Sequence, residues 1–183
     1  MSQQDVQEGA VAWRTVDSPV GELLLAATPA GLVRVAFHVE GFDAVLEGLT
    51  RRHQLVRRDP APLDEAARQL EDYFAGRRTS FDFALDEQLS TGFRRRVQQW
   101  LPSIGYGSTA SYAEVAAALG SPGASRAVGS ACATNPLPVV VPCHRVLRAG
   151  GALGGYLAGL EAKRFLLELE GALPPAGTAV TPG

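Results

Sequence analysis

Cys143 and His144 stand side by side, followed by the fixed cation Arg145. A thiolate is a strong nucleophile, an imidazole can take the thiol proton, and a guanidinium can favour the anion left behind. A free thiol, with a pKa of about 8.5, is only a few per cent ionised near neutral pH, so reactivity depends on what the fold adds. The dipeptide by itself leaves an inert packed thiol open. Val139, Val140 and Val141 are consecutive β-branched residues that favour extended, buried backbone, and Pro142 closes the run. Cys143 is therefore expected at the end of a buried strand. Neighbouring side chains point apart in extended structure, so His144 would reach the Cys143 sulfur through one water.

The composition narrows the chemistry. The chain has two cysteines, Cys132 and Cys143, and three histidines, His38, His53 and His144, without ligand spacing; no metal and no cofactor are expected. Cys132 reads as a small packing residue. Apolar residues make up 46% of the 183, enough for a packed core, and none of their runs approaches a membrane span. The start, MSQQDVQEGA, lacks a basic and apolar leader, so a cytoplasmic protein without membrane contact is expected. Residues 1–89 carry 9 basic and 15 acidic side chains, and residues 90–183 carry 8 and 4. The second half is thus net positive, as a segment that meets a polyanion would be.

The elements that must position these groups follow from periodicity. Residues 11–16, 22–28 and 32–37 are apolar runs divided by Ser-Pro-Val-Gly and Thr-Pro-Ala-Gly, which predicts three antiparallel strands. Helical spacing recurs over 42–52 and 63–74, and alternation over 79–85 predicts a short strand. The pairs Arg51-Arg52 and Arg57-Arg58 read as solvated helix and loop charges. In the second half, helices are expected over 91–101 with Ser90 or Thr91 as N-cap, over 112–119 with a Ser111/Glu114 capping box, over 124–134 and over 160–170. The expected organisation is a disordered tail at 1–10, a mixed α/β domain at 11–89, a helical domain at 90–171 and a flexible tail at 172–183. The helices at 112–119 and 124–134, joined by Gly120-Ser121-Pro122-Gly123, have the shape of a helix-turn-helix. The second is nearly smooth apart from Arg126, which suits either close approach to a nucleic-acid groove or tight internal packing.

The motifs together resemble the O6-alkylguanine-DNA alkyltransferases, or methylated-DNA–protein-cysteine methyltransferases. The matching residues are Ile104-Gly105-Tyr106-Gly107-Ser108-Thr109-Ala110-Ser111-Tyr112, then Ser125-Arg126-Ala127-Val128-Gly129, Asn135-Pro136, Pro142-Cys143-His144-Arg145-Val146, Gly154-Gly155-Tyr156 and Glu170. The resemblance implies an α/β (α+β) fold: a small ribonuclease-H-like antiparallel-sheet amino-terminal domain before a helical carboxy-terminal domain with a helix-turn-helix. It also implies a single-turnover DNA repair protein that docks in the minor groove of double-stranded DNA, flips out O6-alkylguanine and keeps the alkyl group on Cys143. Such a protein needs no cofactor and works as a monomer; cooperative loading on DNA is left open.

By the same resemblance, Glu170 fixes the His144 tautomer, and Tyr112 donates to the guanine oxygen and crowds the 3′ phosphate. Arg126 enters the base stack. Asn135 links the recognition helix to the cysteine segment, backbone groups around Cys143, Val146 and Leu157 read the guanine edge, and Tyr156 lines the pocket. Leu157 and Ala158 depart from the small residues of many relatives, and Ala133 stands where a basic residue is common. Two other functions compete: a non-catalytic lesion-flagging protein, whose kind replaces the cysteine, and a Cys-His hydrolase, for which only the dipeptide speaks.

Overall fold

Tight turns at 18–21 and 28–31 fold the first three apolar runs into an antiparallel meander, β1 (Ala10–Val16), β2 (Leu23–Thr28) and β3 (Gly31–Phe37). The computed structural model describes residues 9–175. The tails expected at 1–10 and 172–183 fall mostly outside that range; Ala10 lies in β1, and the Ala172 amide bonds back to the Leu167 carbonyl at 2.8 Å. Helix α1 (Phe42–Thr50) covers one face of the sheet, over Val11, Leu24, Ala26 and Val33. The chain then returns as β4 (Leu55–Arg58), parallel to β1, giving the order β3-β2-β1-β4. The sheet is thus antiparallel with one parallel edge. β4 escapes the periodicity analysis because an edge strand is held by backbone bonds while Leu55, Arg57 and Arg58 face solvent. The arginines are solvated, as expected, but on a strand and not a loop.

The opposite face, with Leu23, Leu25, Val35 and Phe37, shares one core with the helical half. Helix α2 (Asp64–Phe74) packs there through Ala66, Gln69, Leu70 and Tyr73. Residues 79–85 do not form the expected strand. Among the described residues they give only one bridge, Leu85 to Leu32. The buried Gln69 takes the Asp82 amide at 3.1 Å, and Phe81 stacks on Tyr73, so the alternating residues serve ring packing instead of a ladder.

In the second half, α3 (Gly92–Trp100) begins after Thr91, whose backbone is extended but whose side chain makes no cap. The short strand β5 (Ala110–Ser111) leads into α4 (Tyr112–Ala118), and the capping box forms in full, with the Glu114 amide donating to Ser111 Oγ and the Ser111 amide to Glu114. Helix α5 (Ser125–Ala133) follows, then β6 (Val146–Leu147), which pairs with β5, and α6 (Leu160–Leu169). No helix among the described residues is long and apolar enough to cross a membrane.

The two halves meet at the β3 edge. The Val35 amide and the Arg34 guanidinium both donate to the Pro136 carbonyl, at 2.9 and 3.1 Å, so the sheet grips the segment that leads to Cys143.

Candidate active site

The segment before Cys143 is a buried turn and not the strand that three valines suggest. Val139 has φ +72°, a conformation that costs a β-branched residue about 1–3 kcal/mol, and the Val141 amide bonds the Leu137 carbonyl at 2.7 Å. Asn135 holds this turn: its Oδ1 accepts from the Leu137 amide at 3.0 Å and its Nδ2 donates to the Val141 carbonyl at 2.8 Å. A side chain has replaced the ladder that extended backbone would need, so burial of the valines is met without a strand. Asn135 follows α5 directly and so ties that helix to the cysteine.

Cys143, His144 and Arg145 then form one 3-10 turn, in which successive side chains diverge. Cys143, 5% exposed, lines a cavity of about 350 Å³ together with Tyr112, Gly129, Cys132, Tyr156 and Leu157. His144 is wholly buried behind it, with Nε2 2.8 Å from Glu170 Oε1. Glu170 ends α6 and is saturated: Arg145 donates to both oxygens at 2.8 and 3.0 Å, and the Tyr73 hydroxyl donates to Oε1 at 2.6 Å. Gly107 lies against the same turn, where a side chain at its φ of +74° would sit 2.9 Å from the Glu170 carbonyl.

This geometry sets the protonation states. Burial pushes the Glu170 carboxyl up, but the hydrogen bonds from His144, Arg145 and Tyr73 outweigh it and hold it at about 2. Burial holds His144 below its ordinary value, so the ring is neutral near pH 7. A charged carboxylate can only accept, so Nε2 carries the ring proton and Nδ1 is left as the acceptor. Nδ1 is buried and has no hydrogen-bond partner among the described residues. Burial holds the Cys143 thiol above its ordinary value, and an Asn135 hydrogen bond and the charge of Lys163 offset only part of that rise.

Arg145 does not serve as the thiolate's cation, since its guanidinium is taken by Glu170 and by the Ile104 carbonyl at 2.5 Å. The other buried cation is Lys163, which donates to the Val146 carbonyl at 2.7 Å and whose charge acts on the Cys143 thiol. Lys163 and Tyr73 are the residues that sequence reasoning missed. Each left a trace: Lys163 shares a buried stripe with Leu166, Leu167 and Glu170, and Tyr73 shares one with Ala66, Gln69 and Leu70. A lysine on an apolar helix face needs a partner.

The remaining candidates are distributed around the cavity. Tyr112 lines it from the start of α4, half-buried, and its hydroxyl lies 3.1 Å from where a Cβ on Gly154 would stand. Burial pushes the Tyr112 phenol up, so it stays protonated and able to donate. Tyr156 edges onto Phe37, and Leu157, 44% exposed, forms the rim. Val146 is buried in β6 outside the cavity lining, with its carbonyl on Lys163. Arg126 lies apart, exposed near the start of α5, on a face otherwise made of Ala127, Ser130, Ala133 and Thr134.

Residues 11–87 match the family model of the 6-O-methylguanine DNA methyltransferase ribonuclease-like domain, and residues 92–172 match that of its DNA binding domain. The methylated-DNA–protein-cysteine methyltransferase of Mycobacterium tuberculosis is 43% identical over 166 residues, covering 91% of this chain and 96% of the relative. The chain belongs to the 6-O-methylguanine DNA methyltransferase family. Another member, the constitutive methyltransferase of Bacillus subtilis, is 40% identical over 86% of this chain and 94% of its own length. Among solved structures of the family, the M. tuberculosis O6-methylguanine methyltransferase superposes with a TM-score of 0.78 at 42% identity, covering 91% of this chain and 96% of that one. The M. tuberculosis protein in complex with DNA gives 0.76 at 44%, covering 88% and 93%.

Proposed function

We propose that this chain repairs O6-alkylguanine in double-stranded DNA by taking the alkyl group onto Cys143, once per molecule. The observation that carries the reading is a thiol on the wall of a base-sized cavity, backed by a neutral imidazole whose free nitrogen is fixed as an acceptor by Glu170. His144 Nδ1 takes the thiol proton through a bridging water, and Lys163 stabilises the thiolate. The sulfur attacks the alkyl carbon in line: the S–C bond forms as the C–O6 bond breaks, and the electron pair goes to guanine. Tyr112 gives its proton towards O6 and regains one from solvent. Backbone groups around Cys143 and Leu157 hold the guanine edge, and Tyr156 packs against the ring. The thioether has no readily displaced group, so turnover stops.

The α4–α5 pair acts as a helix-turn-helix laid in the minor groove. Its small exposed residues allow close approach, and Arg126 fills the stack where the flipped nucleotide was.

Intact-protein mass spectrometry after mixing with a duplex holding one O6-methylguanine tests the proposal. One methyl per protein on the Cys143 peptide is expected. Unmodified protein that still binds the duplex would favour lesion flagging, and multiple turnover of an ester would favour hydrolysis. Arg126→Ala should slow transfer from duplex by roughly ten-fold, about 1.4 kcal/mol, while transfer from the free O6-alkylguanine base changes little. Equal loss on both substrates would remove Arg126 from the flipping step.

A further inference from the structure

The relay oxygen is shared. Glu170 Oε1 receives the His144 ring at 2.8 Å, the Tyr73 hydroxyl at 2.6 Å and one Arg145 nitrogen at 3.0 Å. Three donors compete for an atom with two lone pairs. Two come from the turn that holds Cys143. The third comes from α2 in the sheet domain, 97 residues away in sequence from Glu170.

Tyr73 is 1% exposed, and its ring is boxed edge-on by Phe74 and Tyr106 and tilted against Phe81. A hydroxyl so deeply buried must find an acceptor, and burial and the Glu170 charge push its pKa far up, so it always donates. The other charged or titratable groups facing this pair are Arg145 on the same turn, Lys163 from α6, Tyr106 after α3, and Cys143 and Tyr156 on the cavity side. Lys163 is bonded to Val146, and Tyr106 gives its hydroxyl to the Leu169 carbonyl, so neither competes for Oε1. Tyr73 does.

We propose that Tyr73 is a positioning residue through which the amino-terminal domain completes the site: its hydroxyl draws charge from Glu170 Oε1 and so sets how strongly the carboxylate supports the His144 imidazole. This rests on the reading of His144 as the base. The sheet domain then contributes to the reaction as well as to the fold.

The sign follows from the competition. Without the hydroxyl, Oε1 turns more of its charge on the imidazole, and the protonated ring is stabilised. The reactive form needs a neutral ring, so the acid limb of the rate should move to higher pH. Tyr73→Phe keeps the aromatic box. Single-turnover methyl transfer from an O6-methylguanine duplex, measured across pH, should show that limb raised by about half a unit or more. That makes the variant roughly three-fold slower on the limb, with little change above it. A uniform loss with an unmoved limb would mean the hydroxyl is structural only and would overturn the proposal. Titration of the His144 ring by nitrogen-15 shifts reads the same displacement independently of transfer. Absence of transfer in the parent protein would remove the repair reading, while an unshifted ring titration in Tyr73→Phe would remove this one.

Discussion

Cys143→Ser is expected to form no alkyl adduct with an O6-methylguanine duplex while binding that duplex within about two-fold of the parent. The substitution exchanges sulfur for oxygen in a site that is 5% exposed, so the fold should tolerate it. The hydroxyl cannot be ionised by an imidazole held below its ordinary pKa, and removal of a nucleophile in comparable machinery costs about a million-fold in rate. The helix with Arg126 is untouched, so fluorescence anisotropy should report unchanged affinity. Cys132 lines the same cavity, but burial pushes its thiol far above the ordinary value. A methyl appearing on Cys132, or transfer persisting in the serine protein, would end the assignment of Cys143 as acceptor.

Glu170→Ala should be the most destabilising single change at the site. It leaves the Arg145 guanidinium inside the protein without its carboxylate, and it takes the acceptor from the Tyr73 hydroxyl and from His144 Nε2. Breaking a buried ion pair in this one-sided way costs about 3–5 kcal/mol. In a chain of this length that is a fall in Tm of about 10 °C, measurable by calorimetry. A change under about 1 kcal/mol would mean that the carboxylate is a replaceable helix end.

Acid unfolding carries a second signature. Glu170 sits at about 2 in the fold against an ordinary 4.5, so its contribution is present above pH 4.5 and is lost as pH falls towards 2. His144 is held below its ordinary 6.5, so the unfolded chain binds more protons below that pH, and stability falls there too. The parent should be most stable near and above neutrality. The Glu170→Ala protein should lose the steepness between pH 4.5 and 2.

Much of the site is legible in one dimension because its parts are local. The Ser111/Glu114 capping box, the break before α5, and the position of Glu170 at the end of α6 each depend on residues within one or two helical turns, where spacing decides contact. Cys143 and His144 declare their chemistry by type, and the smooth face of α5 around Arg126 is a matter of which residues are present. Through these the chain specified its helices and the thiol and imidazole of the proposed reaction.

Tertiary structure decided what satisfies each buried polar group. Three valines favour a strand, yet Asn135 closes a turn around them by bonding two backbone groups, and no period announces that. Residues 79–85 alternate like a strand, but Gln69 claims one amide and Tyr73 claims a ring. Arg145 lies next to the thiol in sequence and turns to Glu170 instead, while the buried charge of Lys163, twenty residues on, acts on that thiol. Tyr73 reaches the relay from another domain. Desolvated donors and acceptors must pair wherever the packed chain brings them together, and a hydrogen bond between residues far apart leaves only a faint mark in the sequence: a polar side chain on a face that should be apolar.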